Sequence, residues 1–271
     1  MTSIDVLITS YNRCDKTLAC LESLAAQVDT EADVRTVLVD SGSTDGTPEQ
    51  VGRCFPEVTV VRVGSDVYWG RGMRIAGEHA RSSADFHLWL NDDVILSGDA
   101  LATLLALGHP DRIIVGKLHD HQGRPSYGGL VSRRWRRLSM TPAPESDQPQ
   151  QVDTLNGNVV LVGRAVRQVI GGVRGNLFPH AFGDIDYGYI ARRHGFAVIQ
   201  APGTVGECSR NPLPASRRLP TLLGRWRALV STKELPPSMW WRACLRYGGL
   251  LAPVYFVRPY LRVLLSVGAS S

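Results

Sequence analysis

IDVLITS, from Ile4 to Ser10, is an apolar run of strand length, and a helix-length segment from Asp15 to about Gln27 follows it. VRTVLVD (Val34–Asp40) repeats the strand pattern, and GSTDGTPEQ then offers a helix start. There Thr47 can cap, Pro48 takes the first helical position and Gln50 completes a capping box. VTVVRV (Val58–Val63) is a third strand, a helix is expected from about Arg71 to Ser82, and FHLWL (Phe86–Leu90) is a fourth. Short apolar strands separated by helices predict an α/β, Rossmann-like, mostly parallel sheet with helices on both faces. After RIIVGKL (Arg112–Leu118) the alternation weakens into a polar, Gly/Pro-rich stretch, read as a hairpin and a mobile loop. TLNGNVVLVGRA restores a strand, and Asp184 to His194 reads as a helix ended by Gly195. From about Pro212 the composition turns to Arg, Trp, Tyr, Leu and Pro. The expected division is therefore a domain over 1–211 and a helical, basic and aromatic C-terminal appendage over 212–271.

With 44% hydrophobic and 20% charged residues in 271, the chain is ordinary globular material. Its net charge of +5 conceals an asymmetry: from Ser209 onward ten Lys/Arg face one acid, Glu234, for +9, while the remainder holds 20 basic and 24 acidic residues, for −4. An acidic body with a basic tail is not the pattern of a nucleic-acid binder with one basic groove. Cys14, Cys20, Cys54, Cys208 and Cys244 are odd in number and scattered without a C-x-x-C pair, which suits a reducing cytosol. MTSIDVLITSYNR enters a strand without a basic leader region, so no secretory signal is expected.

In an open parallel sheet the loops after strand C-termini line the ligand crevice. Four such loops carry distinctive residues: TSYNR, DSGSTDG, VYWGRGM and NDDV. In the last, Asn91, Asp92 and Asp93 interrupt an apolar run, and adjacent acids repel unless a cation or protons intervene. Hard oxygen ligands on a short turn suit Mg²⁺ or Mn²⁺; the same pair also reads as a turn or cap before the helix near Ser97–Leu107. Tyr11 can stack on a base, Asp40 can accept from a base or ribose, and the amides at Gly70 and Gly72 can approach a diphosphate at a helix start. His119 and His121 have metal-like spacing but read better as an exposed hairpin pair. RRWRR (Arg133–Arg137) reads as a solvated face or an acceptor-phosphate contact.

Together and in order, LITSYNR, VLVDSGSTDGT, LWLNDDV, NGNVVLV and FGDIDYGYIARRHGF resemble the family 2 glycosyltransferases with their GT-A nucleotide-diphosphosugar fold, over roughly Ile4 to Cys208. The resemblance implies nucleoside contacts from Thr9, Tyr11 and Asp40, and donor contacts from Asn91 and Asp92. It implies a metal ligand at Asp93, where Asn91 replaces the first Asp of D-x-D, as in rhamnosyltransferase-like members. Asp184 matches the catalytic base, with Gly183 in place of the usual Glu; the alternative is that Asp184 only caps its helix. Asp186, two residues on, should point elsewhere, toward a local Arg. Glu207, in GTVGECSR, stands near where the family places a metal-binding His.

The implied activity is inverting transfer from a UDP- or dTDP-linked sugar to a hydroxyl of a glycan or lipid-linked acceptor, in cell-surface polysaccharide assembly. The rivals are a non-catalytic nucleotide-sugar-binding module and a sugar-1-phosphate nucleotidyltransferase, although TSYNRCDKT lacks the Gly-rich basic signature of the latter. The tail from Pro237 to Gly268 contains no acid and four arginines, with Arg242/Arg246 and Arg258/Arg262 each four apart, and Pro253 and Pro259 interrupt it. It reads as an interfacial anchor on an anionic membrane, placing the chain on the inner face of the cell membrane. It reads alternatively as a segment packed on the catalytic domain or forming an oligomer interface.

Overall fold

A computed structural model describes residues 1–28, 31–133 and 136–265. RRWRR falls at the second break, and its side chains lie outside the described residues. Through the first half the order is β1 (Thr2–Ser10), α1 (Cys14–Ala25), β2 (Ala32–Asp40), α2 (Thr47–Cys54), β3 (Thr59–Arg62), α3 (Trp69–His79), β4 (Phe86–Leu90), β5 (Ile95–Leu96) and α4 (Ala100–Leu107). Next come β6 (Arg112–Val115), β7 (Leu118–His119), β8 (Gly129–Arg133), β9 (Arg136–Pro142), β10 (Gln150–Gln151), β11 (Thr154–Leu155), β12 (Val159–Gly163), α5 (Arg164–Ile170) and α6 (Gly183–Arg193). The chain continues through β13 (Ala197–Gln200), β14 (Gly206–Glu207), α7 (Ala215–Arg218), α8 (Leu222–Leu229), α9 (Pro237–Tyr247) and α10 (Ala252–Leu265).

Eight strands form the main sheet in the order β10-β13-β6-β12-β4-β1-β2-β3. All run parallel except β12 and β10, so the expected mostly parallel α/β sheet is present. The strands read as unbroken apolar runs because both faces are covered. Ile4, Val6 and Ile8 point into one core with Cys20, Leu21 and Leu101, while Leu7 joins Val37, Val39 and Trp89 in the other. Leu88, fully buried between its neighbours, is an anchor whose truncation to Ala costs about 2–5 kcal/mol.

Register decides where function can sit. Ser10 pairs with Asp40 and Leu7 with Trp89, so the loops after β1, β2 and β4 open on one edge. A small sheet of β5, β14 and β7 closes against that edge, and β11, β8 and β9 form a third.

Local details depart from the sequence reading. No Thr47 capping box forms: Gly46, with φ +83°, precedes α2, and Asp45 Oδ1 accepts from the Thr47 amide at 3.1 Å. Asp45, two residues before Thr47, takes that first-turn donor instead. Helix α3 begins two residues before the expected Arg71, which brings Trp69 into its first turn. Pro259 lies inside α10 without ending it. The C-terminal helices also touch the body: Met239, Ala243 and Tyr247 of α9 pack with Phe178, Phe182 and Tyr189 around the start of α6.

Candidate active site

The loops after β1 and β2 are laced together. The Asn12 amide donates to Ser43 Oγ at 2.9 Å, and Asn12 Oδ1 accepts from the Thr44 amide at 2.7 Å. Asp45 Oδ2 accepts from the Cys14 amide at 3.0 Å. Asn12 has φ +50°, a left-handed conformation that asparagine tolerates. Asp40, at the end of β2, is buried. Its Oδ2 accepts from the Ser43 amide at 3.0 Å, whereas its buried Oδ1 has no partner among the described residues. A buried acceptor left in that state costs about 1–3 kcal/mol, which a ligand donor would relieve. Tyr11 stands at the mouth, 45% exposed.

Across the crevice, the turn after β4 sets Asp92 and Asp93 side by side. Arg13, just ahead of α1, bridges both: one guanidinium nitrogen lies 3.0 Å from Asp92 Oδ1 and 3.0 Å from Asp93 Oδ2. Burial nonetheless pushes the Asp92 carboxyl up to about 6, with Arg13 opposing and the Asp93 charge assisting. Behind Asp93 lies the Cys208 thiol, 3.6 Å from Oδ1; burial and then the Asp93 charge push its pKa up to about 12, so it stays protonated and donates. Asn91 faces the protein: its Oδ1 accepts from Trp69 Nε1 at 2.9 Å, and its amide donates to the Asn158 carbonyl.

The third part is the start of α6. Asp184 Oδ2 accepts from the Gly157 amide at 2.9 Å and Oδ1 from the Ile185 amide at 2.8 Å. Burial raises its pKa, the backbone donors oppose, and no cation contributes. Asp186 points away to Arg174, whose Nε donates to it at 2.8 Å, and accepts from the Tyr247 hydroxyl. Phe182, two residues before Asp184, has φ +73°, a strained conformation for an aromatic residue. The rings of Phe178, Trp240 and Tyr247 surround it. At Gly183, where the resemblance implies Glu, a Cβ would press on a Val173 methyl at 3.1 Å and touch the Trp69 ring at 3.6 Å, so the position is tight. Trp69 therefore joins the two acidic regions, bonded to Asn91 on one side and packed on Gly157, where a Cβ would approach its ring to 2.5 Å, on the other.

Two expectations are corrected. Gly70 and Gly72 do not form a diphosphate cradle, because the Gly70 and Arg71 amides already donate to the Pro179 carbonyl. A Cβ at Gly70 would strike the Phe178 carbonyl at 2.2 Å, and one at Gly72 the Thr9 side chain at 2.5 Å. These glycines let α3 approach the α6 loop and β1, and Thr9 packs its methyl on that helix. Glu207 does not reach Asp93. Successive residues of an extended strand face opposite sides, so Cys208 takes the position beside Asp93, and Glu207 turns to His121 Nδ1 at 2.7 Å.

His121 is exposed, as expected of a hairpin histidine, while His119 is half-buried. Among the described residues no three His, Cys, Asp or Glu side chains are grouped to hold a metal ion. Sequence reasoning missed Arg13, Trp69 and the strained Phe182, although TSYNR and VYWGRGM had been singled out.

Sheet order, the small closing sheet and the acidic turn define a GT-A glycosyltransferase architecture. The sequence model of glycosyl transferase family 2 matches residues 5–168, and the chain belongs to that family. It is 26% identical over 251 residues to the N-acetylglucosaminyl-diphospho-decaprenol L-rhamnosyltransferase of Mycobacterium tuberculosis, covering 80% of each chain. Its fold is similar to that of the Pyrobaculum calidifontis mannosyltransferase PcManGT in complex with GDP-Man and Mn²⁺, with TM-score 0.56 and 19% identity over 99% of this chain and 76% of that one. GalNAc-T7 with UDP, GalNAc and Mn²⁺ superposes with TM-score 0.63 and 15% identity, over 79% of this chain and 45% of the other.

Proposed function

We propose that this chain is an inverting glycosyltransferase that moves a hexosyl or deoxyhexosyl group from a UDP- or dTDP-linked donor to a hydroxyl of a lipid-diphosphate-linked glycan. The acceptor class follows the mycobacterial relative, whose name specifies a decaprenyl-diphosphate acceptor and an L-rhamnosyl group. Such an acceptor would place the reaction at the cytoplasmic face of a membrane, in polysaccharide assembly. Family membership disfavours the nucleotidyltransferase rival.

The observation that carries the reading is the contrast across Trp69. On one side are two acids bridged by Arg13; on the other is Asp184, held by backbone amides alone, with a pKa raised by burial and no cation among the causes acting on it. In this reading the unpartnered Asp40 Oδ1 accepts from the base or ribose, and exposed Tyr11 stacks on the nucleoside. Asp184 takes the proton of the acceptor hydroxyl as that oxygen attacks the anomeric carbon opposite the departing nucleoside diphosphate. A raised pKa makes it a better proton acceptor at neutral pH, and the Gly157 and Ile185 amides hold its orientation. Arg13 lies where its positive charge can act on the leaving diphosphate.

Asp93 presents a hard carboxylate beside a thiol too basic to ionise. That set fits Mg²⁺ or Mn²⁺, which bind one or two carboxylates and complete their shell with water and phosphate oxygens. An ion held by Asp93 would supply further positive charge to the leaving group. The test is a thermal-shift screen of UDP- and dTDP-sugars with and without Mn²⁺, followed by transfer to a polyprenyl-diphosphate-sugar analogue. Metal-dependent stabilisation by one donor and a product of inverted anomeric configuration are expected. Full activity in excess EDTA would remove the metal role from Asp93, and a retained configuration would end the direct-displacement reading.

A further inference from the structure

Helices α9 and α10 each bury one face and leave the other bare. In α10, Ala252, Tyr260 and Val263 are buried, and the last two pack with Leu229 of α8. The opposite side exposes Val254, Val257, Leu261, Leu264 and Leu265, spaced by three and four residues as one helical stripe. Leu250, in the turn before α10, is wholly exposed, and Trp241 of α9 extends the patch. Arg242, Arg246, Arg258 and Arg262 are all exposed on these two helices. Between Leu235 and Leu265 there is no Asp or Glu.

Charge selects the occupant. A second copy docked through a twofold axis would set these arginines against their own equivalents with no acid in the segment to pair them. Among the described residues no helix is long and apolar enough to cross a membrane. Aliphatic side chains interleaved with arginines suit a helix lying in a bilayer interface, with apolar groups among the acyl chains and guanidinium groups reaching lipid phosphates.

The face is also fixed to the catalytic helix. Tyr247 donates to Asp186, the Arg193 guanidinium lies 5.0 Å over the Tyr247 ring, and Trp240 Nε1 donates to the Tyr255 carbonyl at 3.1 Å, tying α10 to α9. We propose that the outward face of α9 and α10 is a docking surface for an anionic phospholipid bilayer, holding the crevice at a set orientation to lipid-borne acceptors. The proposal deepens the functional reading by naming where the acceptor's membrane is met, and its binding test needs no turnover.

The experiment is sedimentation of the full chain with phosphatidylglycerol-containing or pure phosphatidylcholine vesicles at low and high salt. Two surface variants are included, Arg258→Gln/Arg262→Gln and Val257→Glu/Leu261→Glu. The wild-type chain should sediment with the anionic vesicles, less so at high salt and little with the neutral ones. Removing two arginines should weaken binding by about 30-fold, and the glutamates should abolish it. Both variants should keep wild-type melting temperature and transfer to a water-soluble acceptor. Loss of transfer to the soluble acceptor in the wild type would count against the catalytic reading and leave vesicle binding standing. Vesicle binding that is absent, or unchanged in the glutamate variant, overturns the proposal. A dimer that ignores vesicles and dissociates in the glutamate variant would assign the face to self-association.

Discussion

The turn after β4 and the first turn of α6 each carry two aspartates, and the fold treats the pairs differently. Asp92 and Asp93 are adjacent, nearly buried, and share one half-exposed guanidinium, Arg13. Asp184 and Asp186 are separated by one helical residue, which points them apart: Asp184 to backbone amides, Asp186 to Arg174 and Tyr247. In the adjacent pair the cation lies against both carboxylates, although burial still pushes Asp92 up to about 6. A lone carboxylate desolvated without one is disposed to take a proton. In the proposed reaction the same side chain serves opposite ends because its neighbours differ.

The hardest blow to that contrast is Asp184→Asn. Turnover should fall by about 10²–10⁴-fold while donor affinity, measured by calorimetry, is kept. Turnover near wild type would mean that Asp184 only caps its helix. Asp186→Asn should act on the fold, lowering unfolding free energy by about 2–3 kcal/mol in urea titration, because a buried acid is lost while Arg174 remains partly solvated. If that variant melts like wild type and is dead, the two aspartates have exchanged roles.

The pH dependence sharpens the comparison further. A base must be unprotonated, and desolvation raises the Asp184 pKa from its ordinary value. The acid limb of kcat/KM should therefore lie above about 3.9. The stability linkage runs the same way. The folded chain holds the Asp184 proton beyond the pH at which the unfolded chain releases it. Its contribution to stability is therefore full below about pH 3.9 and is lost as pH rises through the folded pKa. Asp184→Asn should remove that loss, which thermal melts across the range would register.

The smallest expected effect tests the connection between the pairs. Trp69→Phe deletes the hydrogen bond to Asn91 and keeps most of the ring packing, at about 1 kcal/mol. Combined with Asn91→Leu in a double-mutant cycle, it should be non-additive. Additive losses would show that the two regions are not coupled there.

Much of this was legible in the chain. Strand runs such as Ile4–Ser10 and the helix ended by Gly195, with φ +85°, follow from local pattern and backbone preference. The crevice loops follow too, since a parallel sheet puts its strand ends on one edge. The sites of failure were those where identity depended on what came close in space. Gly70 and Gly72 looked like a phosphate loop, but the Gly70 amide is taken by the Pro179 carbonyl from another part of the chain and the Gly72 amide by the Tyr68 carbonyl. Glu207 and Cys208 are adjacent in sequence, yet strand alternation let only the thiol face Asp93.

The tail divides the same way. Its basic, acid-free and aromatic character is readable from composition, and so is helical spacing of its arginines. Both sequence readings of it, packing on the body and presenting an apolar surface, rest on opposite faces of the same helices. Periodicity determines that a helix has two faces, and hydrophobicity here supplied apolar groups to both. Only tertiary packing, with Tyr247 drawn to Asp186 and Phe182 into the aromatic cluster, decided which face the protein itself would cover.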